Sequence, residues 1–193
     1  MEELLPSKTQ LSNWSYKTKI NKSLKNSLSK IDEKELFNDL ISYREHCSSL
    51  DINFSFRFKS LSSMKKKYNK NIIKGNSIKS TFNDIIGIRI LVNSYDINIP
   101  DYFRIVNMSN GKTHDDGYRG IHLYFQLDNY HYPIEVQLNT EKDRLFADWT
   151  HKYLYKHKGN EISRHLRVLY DINKIKTETD FMEEIRKYEL YNS

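Results

Sequence analysis

Residues 85–92 read IIGIRILV, apolar and mostly β-branched at nearly every position. A run of this kind suits a strand covered on both faces, so Ile85 to Val92 is predicted as a buried central strand. The rest of the chain must then supply neighbours and cover for it. Two later segments alternate instead. Ile121, Leu123, Phe125 and Leu127 are expected to face inward, with His122, Tyr124 and Gln126 on the other side. After a turn at Asp128-Asn129-Tyr130, Ile134, Val136 and Leu138 point in and Glu135 and Gln137 point out.

Helical spacing governs the other segments. Asp32 and Glu35 have capping-box spacing ahead of Leu36, Phe37, Leu40, Ile41 and Cys47. Leu61, Met64 and Tyr68 mark a second helix. Thr140 with Asp143 opens a helix that buries Phe146, Trp149 and Tyr153; Thr177 with Asp180 opens a last one carrying Phe181, Ile185 and Tyr188. Helices, strands, a hairpin and helices again make an α+β fold, a mixed β-sheet with helices packed on it. With 193 residues the expectation is a single domain, 1–193, with a core of about 31–160 and C-terminal helices. Residues 8–30, rich in Lys, Ser and Asn, are read as a solvated basic arm.

Composition excludes some classes. Hydrophobic residues at 38% and charged ones at 29% suit a folded chain and not a disordered one. No apolar run approaches the ~20 residues that span a bilayer. The first residues, MEELLPSKTQ, lack the basic and apolar regions of a signal peptide, so a cytoplasmic protein without membrane attachment is expected. The lone Cys47 cannot form an internal disulfide and reads as a small helix residue. The net charge of +6 favours anionic partners such as nucleotides or RNA.

Four segments carry candidate chemistry. Glu135, Gln137, His122 and Gln126 share one sheet face, either solvated or a site; from the pattern alone the solvated face is the commoner. Asp84 opens the central strand and Arg89 lies within it, as a structural pair with a core carboxylate or as a phosphate contact. Asp84 and Glu135 together could hold Mg²⁺ against a triphosphate. Strict alternation places Asp84 and Arg89 on opposite faces, so one of them must sit at an irregular start of the strand or point elsewhere. In FRFKSLSSMKKKY, a helix beginning near Lys59 would align Lys59, Ser63 and Lys67 as a polar stripe behind Arg57, a polyphosphate cradle or a solvated basic face. In DGYRGIH, Tyr118 on a glycine-flanked turn could stack on a base or be an ordinary loop residue.

Taken in order, these segments resemble the synthetase domain of the RelA/SpoT family, specifically the small alarmone synthetases. Arg57, Lys59, Ser63 and Lys67 match its first motif; Asp84, Gly87 and Arg89 its strand motif; Gly117, Tyr118, Arg119 and His122 its loop; Glu135 and Gln137 its last strand; His151, Tyr155 and Lys156 a later helix. The resemblance implies a nucleotidyltransferase-like synthetase fold and an ATP-dependent pyrophosphotransferase acting on a ribose 3′-hydroxyl. It implies that Arg57, Lys59, Ser63, Lys67 and Arg89 bind ATP phosphates and that Asp84 and Glu135 hold Mg²⁺. Glu135 would also be the base, Tyr118 would stack on the acceptor base, and Arg119, His122 and Gln137 would complete the acceptor site. The family's hydrolase domain has no room in this length.

Two departures concern the acceptor. His114, Asp115 and Asp116 precede the loop where alarmone synthetases carry basic residues, and Asn139 stands where they carry an arginine. Acidic residues repel a 5′-diphosphate, which favours the 3′-terminal adenosine of tRNA, the acceptor of the family's toxin branch. HLYFQ and LNT also look closer to that branch. Lys17, Lys19, Lys22 and Lys25, with Arg104, would track the RNA, and an antitoxin protein is a possible partner. The alternatives are a GDP or GTP acceptor, giving ppGpp or pppGpp; a degenerate binding module, against which the retained Asp84, Glu135 and Tyr118 argue; and another nucleotidyltransferase, for which a closely spaced carboxylate pair on one strand is missing.

Overall fold

The computed structural model describes residues 4–154 and 160–191. Five strands form one sheet: β1 (Ser55–Phe58), β2 (Ile86–Leu91), β3 (Arg104–Asn107), β4 (Ile121–Phe125) and β5 (Ile134–Asn139), in the order β1-β2-β5-β4-β3. The helices are α1 (Lys8–Trp14), α2 (Glu33–Ser48), α3 (Leu61–Ile72), α4 (Ile78–Thr81), α5 (Glu141–Tyr153), α6 (Asn160–Asp171) and α7 (Glu178–Tyr191), with a 3₁₀ turn at Leu28–Lys30. The class is α+β, as the sequence pattern predicts. Among the described residues no helix is long and apolar enough to cross a membrane.

The chain divides into two compact units. The first runs to Ile90 and adds Asn98–Ile105 and His122–Gln137; the second holds Leu91–Ile97, Val106–Ile121 and Leu138 onward.

In the first unit, β2 is buried at Ile86, Gly87 and Ile88, but the strand does not stay buried to its end: Leu91, its last residue and already part of the second unit, is 59% exposed. Leu127, expected inward, lies past the end of β4 and is exposed as well, because the alternation stops where the strand does. The larger correction concerns residues 8–30, which are not a solvated arm. Leu11, Trp14, Tyr16, Ile20, Leu24 and Leu28 are buried, each contributing about 1.5–3 kcal/mol of hydrophobic burial. Backbone bonds from Thr18 to Tyr130, Tyr132 to Tyr16 and Leu24 to Asn129 fasten the segment along the turn before β5. Asp39 anchors it. This buried carboxylate accepts from the Tyr16 and Tyr132 hydroxyls (3.1 and 2.9 Å), the Lys19 amide (2.9 Å) and the Thr18 hydroxyl, which offsets the cost of desolvating the charge. Lys17, Lys19, Lys22 and Lys25 remain on the exposed side.

In the second unit, Phe146, Trp149, Leu166, Tyr170 and Phe181 form the centre of a core built from α5, α6 and α7. Thr140 caps α5 by accepting from the Asp143 amide, and Thr177 accepts likewise from Asp180. The Asp143 carboxylate also joins two neighbours. Its Oδ2 accepts from Tyr95 at 2.7 Å, and its Oδ1 pairs with the buried Arg167 at 2.7 Å.

Candidate active site

Asp84 lies in a turn two residues before β2 begins, the irregular start of the strand that alternation required. The Lys59 amide donates to the Ile85 carbonyl at 2.8 Å, tying the end of β1 to this turn. β1 is antiparallel to β2, with Arg57 opposite Gly87 and Ser55 opposite Arg89. Lys59 is not on a helix, since α3 starts at Leu61 behind its N-cap Ser60. It still converges with Lys67: Lys59 Nζ is 2.5 Å from Asp84 Oδ2, and Lys67 Nζ is 2.9 Å from Oδ1 and 3.1 Å from Asn83 Oδ1. Burial raises the Asp84 pKa, but the charges and hydrogen bonds of Lys67 and Lys59 outweigh it and hold the carboxyl below its ordinary range. Ser63 receives the Ser60 hydroxyl at 2.9 Å and gives its amide to the same cap.

Gly87 lies between Arg57 and Glu135. A Cβ added there would stand 3.6 Å from both Arg57 Nε and Glu135 Oε2, so the bare glycine leaves a space lined by a guanidinium and a carboxylate. Among the described residues Arg57 Nε is buried with no hydrogen-bond partner. A buried N–H in that state is costly unless an acceptor arrives, and a phosphate oxygen suits it. Arg89 follows Gly87 by two residues and so shares its face of β2.

The polar face of β5 is not solvated. Glu135 is 3% exposed and Gln137 9%, and all six residues of the strand are buried. Glu135 Oε1 accepts from the Tyr124 hydroxyl at 2.8 Å and lies 3.1 Å from His122 Nδ1; Oε2 accepts from Gln137 Nε2 at 2.7 Å. Burial raises its pKa, but the His122 hydrogen bond and charge and the Tyr124 hydroxyl bring it below the ordinary carboxylate range. Tyr124 itself is pushed up strongly by burial and by the charge of Glu135. Alternation placed Tyr124 on this face, yet nothing in its spacing marked it as a partner of the carboxylate.

Asp84, Glu135, Arg57, Lys59, Ser63, Lys67, Arg89, His122 and Gln137 all belong to the first unit, as do Lys17, Lys19, Lys22 and Arg104. Tyr118 and Arg119 belong to the second. There the loop folds on itself. Arg119 makes a bidentate pair with Asp115 (2.7 and 2.9 Å), and Lys112 pairs with Asp116 at 2.6 Å and sits over the Tyr118 ring at 5.0 Å. The expectation of two repelling aspartates is therefore corrected: each is matched by a cation. Asn139 Nδ2 donates to the Tyr118 hydroxyl (3.2 Å) and the Arg119 carbonyl (2.8 Å). Gly117 has φ +80°, and a Cβ there would meet Phe146 and the Ser163 carbonyl at 2.9 Å, so this turn admits only glycine. His151 is exposed on α5; Tyr155 and Lys156 lie outside the described residues.

Magnesium fits the donor set of Asp84 and Glu135 on one condition. Among the described residues no group of three His, Cys, Asp or Glu side chains could hold a metal alone. Two ionised carboxylates would need substrate phosphate oxygens to complete the shell, the usual habit of this ion.

Residues 56–160, more than half of the chain, match the model of the region found in RelA / SpoT proteins. Three solved structures are similar. Small alarmone synthetase 1 from Bacillus subtilis is 18% identical over 83% of this chain and 91% of its own, with a TM-score of 0.45. A GTP pyrophosphokinase family protein from Streptococcus pneumoniae is 21% identical over 83% and 86%, with a TM-score of 0.46. Small alarmone synthetase 2 from Bacillus subtilis is 23% identical over 83% and 94%, with a TM-score of 0.43. No curated protein matches the chain.

Proposed function

The chain belongs to the RelA/SpoT family, a family of pyrophosphotransferases, and from that premise we propose that it moves pyrophosphate from ATP to the 3′-hydroxyl of a ribose, with the 3′-terminal adenosine of tRNA as the favoured acceptor. One observation supports the reaction above the others. Glu135 is a buried carboxylate held ionised by His122 and Tyr124, across Gly87 from the unpartnered Nε of Arg57.

In the reaction the ribose oxygen attacks the β-phosphorus of ATP, the bond from that phosphorus to the α-phosphate oxygen breaks, and AMP leaves. Arg57, Arg89, Lys59 and Lys67 bind the triphosphate oxygens and offset the charge gathering on the leaving AMP. Glu135 accepts the hydrogen bond of the attacking hydroxyl and takes its proton. Mg²⁺ held by Asp84 and Glu135 would supply charge neutralisation and alignment of the phosphates. Tyr118, fixed by Asn139, stacks on the acceptor base.

The tRNA reading is supported by where uncompensated charge lies. Both cations of the Tyr118 loop are taken by Asp115 and Asp116, and Asn139 is neutral, so the loop has no spare charge for a 5′-diphosphate. Lys17, Lys19, Lys22, Lys25 and Arg104 have no carboxylate within salt-bridge distance among the described residues, and they suit a polyanion. GDP or GTP is the second reading. The pairing of Asp115 and Asp116 favours it, since it removes most of the repulsion a diphosphate would meet. An antitoxin partner belongs with the tRNA reading. Incubation with ATP labelled in its β-phosphate, together with tRNA, GDP or GTP, separates the two by where the label arrives.

A further inference from the structure

The first unit contains a cavity of 570 Å³ that the reaction above does not use. Lys79 and Arg104 are its charged lining residues, and Ser77, Ser80 and Tyr124 add hydroxyls; no carboxylate lines it. Neither cation has an acidic partner within salt-bridge distance among the described residues. Two cations brought to one cavity without a carboxylate leave a site whose electrostatics are completed by an anion. The Lys79 pKa is lowered, first by burial and then by the positive charges of Arg104 and Lys25, the same frustration seen from the ammonium.

The cavity shares two walls with the candidate active site. Tyr124 lines it and donates to Glu135, and Asn83 lines it and accepts from Lys67. An occupant of the cavity therefore lies beside the residues that hold Glu135 and Lys67. The Lys79 amide donates to the Leu24 carbonyl at 2.7 Å, which sets the cavity against the segment that carries the exposed Lys25 and Lys22. A free nucleotide ends at its own phosphates; an RNA strand reacting at its 3′ end must continue past the site through phosphodiesters. Resting on the tRNA reading of the acceptor, we propose that this cavity is a phosphate subsite, in which Lys79 and Arg104 hold a phosphodiester of the acceptor RNA beside its reacting end.

The test is equilibrium binding of a seven-nucleotide single-stranded RNA with a free 3′-hydroxyl, of GDP and of a non-hydrolysable ATP analogue. The proteins are the wild type, Lys79→Gln, Lys79→Arg and Arg104→Gln, each checked for folding by thermal melting. Lys79→Gln is expected to lower RNA affinity about fivefold or more and to flatten its salt dependence by about one unit of slope, with ATP-analogue affinity unchanged. Lys79→Arg should keep most of the RNA affinity. Arg104→Gln, at an exposed position, should repeat the loss and serves if Lys79→Gln does not fold. Unchanged RNA affinity and slope in both neutralised variants would overturn the subsite. So would a loss falling equally on GDP or on the ATP analogue, which would make the cavity a nucleotide pocket. Label transfer by the wild type to GDP and none to tRNA would remove the acceptor reading instead; RNA binding that still depended on Lys79 would leave the phosphate subsite standing.

Discussion

The Tyr124 hydroxyl donates to Glu135 at 2.8 Å, and the opposite relationship holds at the ring, whose face carries the Arg104 guanidinium at 4.4 Å. One side chain thus borders the buried carboxylate and an exposed cation. Its hydroxyl is one of the groups that hold Glu135 below the ordinary carboxylate range.

Removing that hydroxyl should be legible in the pH profile. In Tyr124→Phe the Glu135 pKa rises, so the acid limb of kcat/KM moves to higher pH. A lost hydrogen bond to a charged group is worth about 1.5–3 kcal/mol, so the acid limb should move by roughly one to two pH units. Glu135→Gln should go further and lower turnover by about 10² or more while thermal stability stays close to wild type. Near wild-type turnover of Glu135→Gln with every acceptor would take Glu135 out of the mechanism.

Asp84 makes a prediction about stability as well as activity. Its folded pKa lies below the ordinary aspartate value, so its pairing stabilises the fold above the unfolded pKa. That contribution is lost as pH falls through the still lower folded value. Urea titrations stepped from roughly pH 5 downward should show the wild type losing stability faster than Asp84→Asn in this window. The same variant should have no magnesium-dependent transfer, because the ion prefers anionic oxygen. An unchanged magnesium requirement would refute the two-carboxylate site.

Much of this was readable from residue patterns. The alternation of β4 and β5 placed His122, Tyr124, Glu135 and Gln137 on one face, and the Thr140 and Thr177 caps fell where the helices start. Three features were not readable. The burial of that polar face depends on what covers it, and period two reports only which side a residue takes. The docking of residues 8–30 rests on Asp39, a carboxylate inside α2 that resembles any surface aspartate until Tyr16, Thr18 and Tyr132 gather on it. The pairing of Asp115 with Arg119 and of Lys112 with Asp116 joins residues four apart in a loop, where no helical spacing announces a contact.

The loop itself can be probed through Asn139. Tyr118→Ala should weaken acceptor use by the ~1–3 kcal/mol of a base stack and leave ATP affinity unchanged. Asn139→Ala removes the donor to the Tyr118 hydroxyl without touching the ring, so a smaller loss in the same direction is expected, seen in acceptor KM more than in kcat. Equal losses of ATP and acceptor affinity would reassign Tyr118 to the donor side.

The acceptor is best tested by charge. Lys17, Lys19 and Lys22 are exposed while the residues between and around them are fastened to the fold: Thr18 to Asp39 and Tyr130, Ile20 and Leu24 into the core. Lysines held this way present a fixed array, so a polyanion meets them without the cost of ordering a mobile tail. Changing all three to Glu should leave the fold and ATP affinity intact, since among the described residues the side chains of Lys19 and Lys22 bond to the Ser42 hydroxyl and the Lys30 carbonyl at the exposed surface, and the backbone bond of Lys19 to Asp39 is kept. Transfer of label to tRNA should fall by tenfold or more, and the salt dependence of tRNA binding should flatten by roughly two to three units of slope. Transfer to GDP should be unaffected under the tRNA reading, in which these lysines contact the RNA backbone and not the acceptor nucleotide. Unaltered tRNA modification in the triple variant would show that the strand takes another path. Efficient ppGpp synthesis with no label on deacylated tRNA would end the tRNA reading while leaving the pyrophosphotransferase in place.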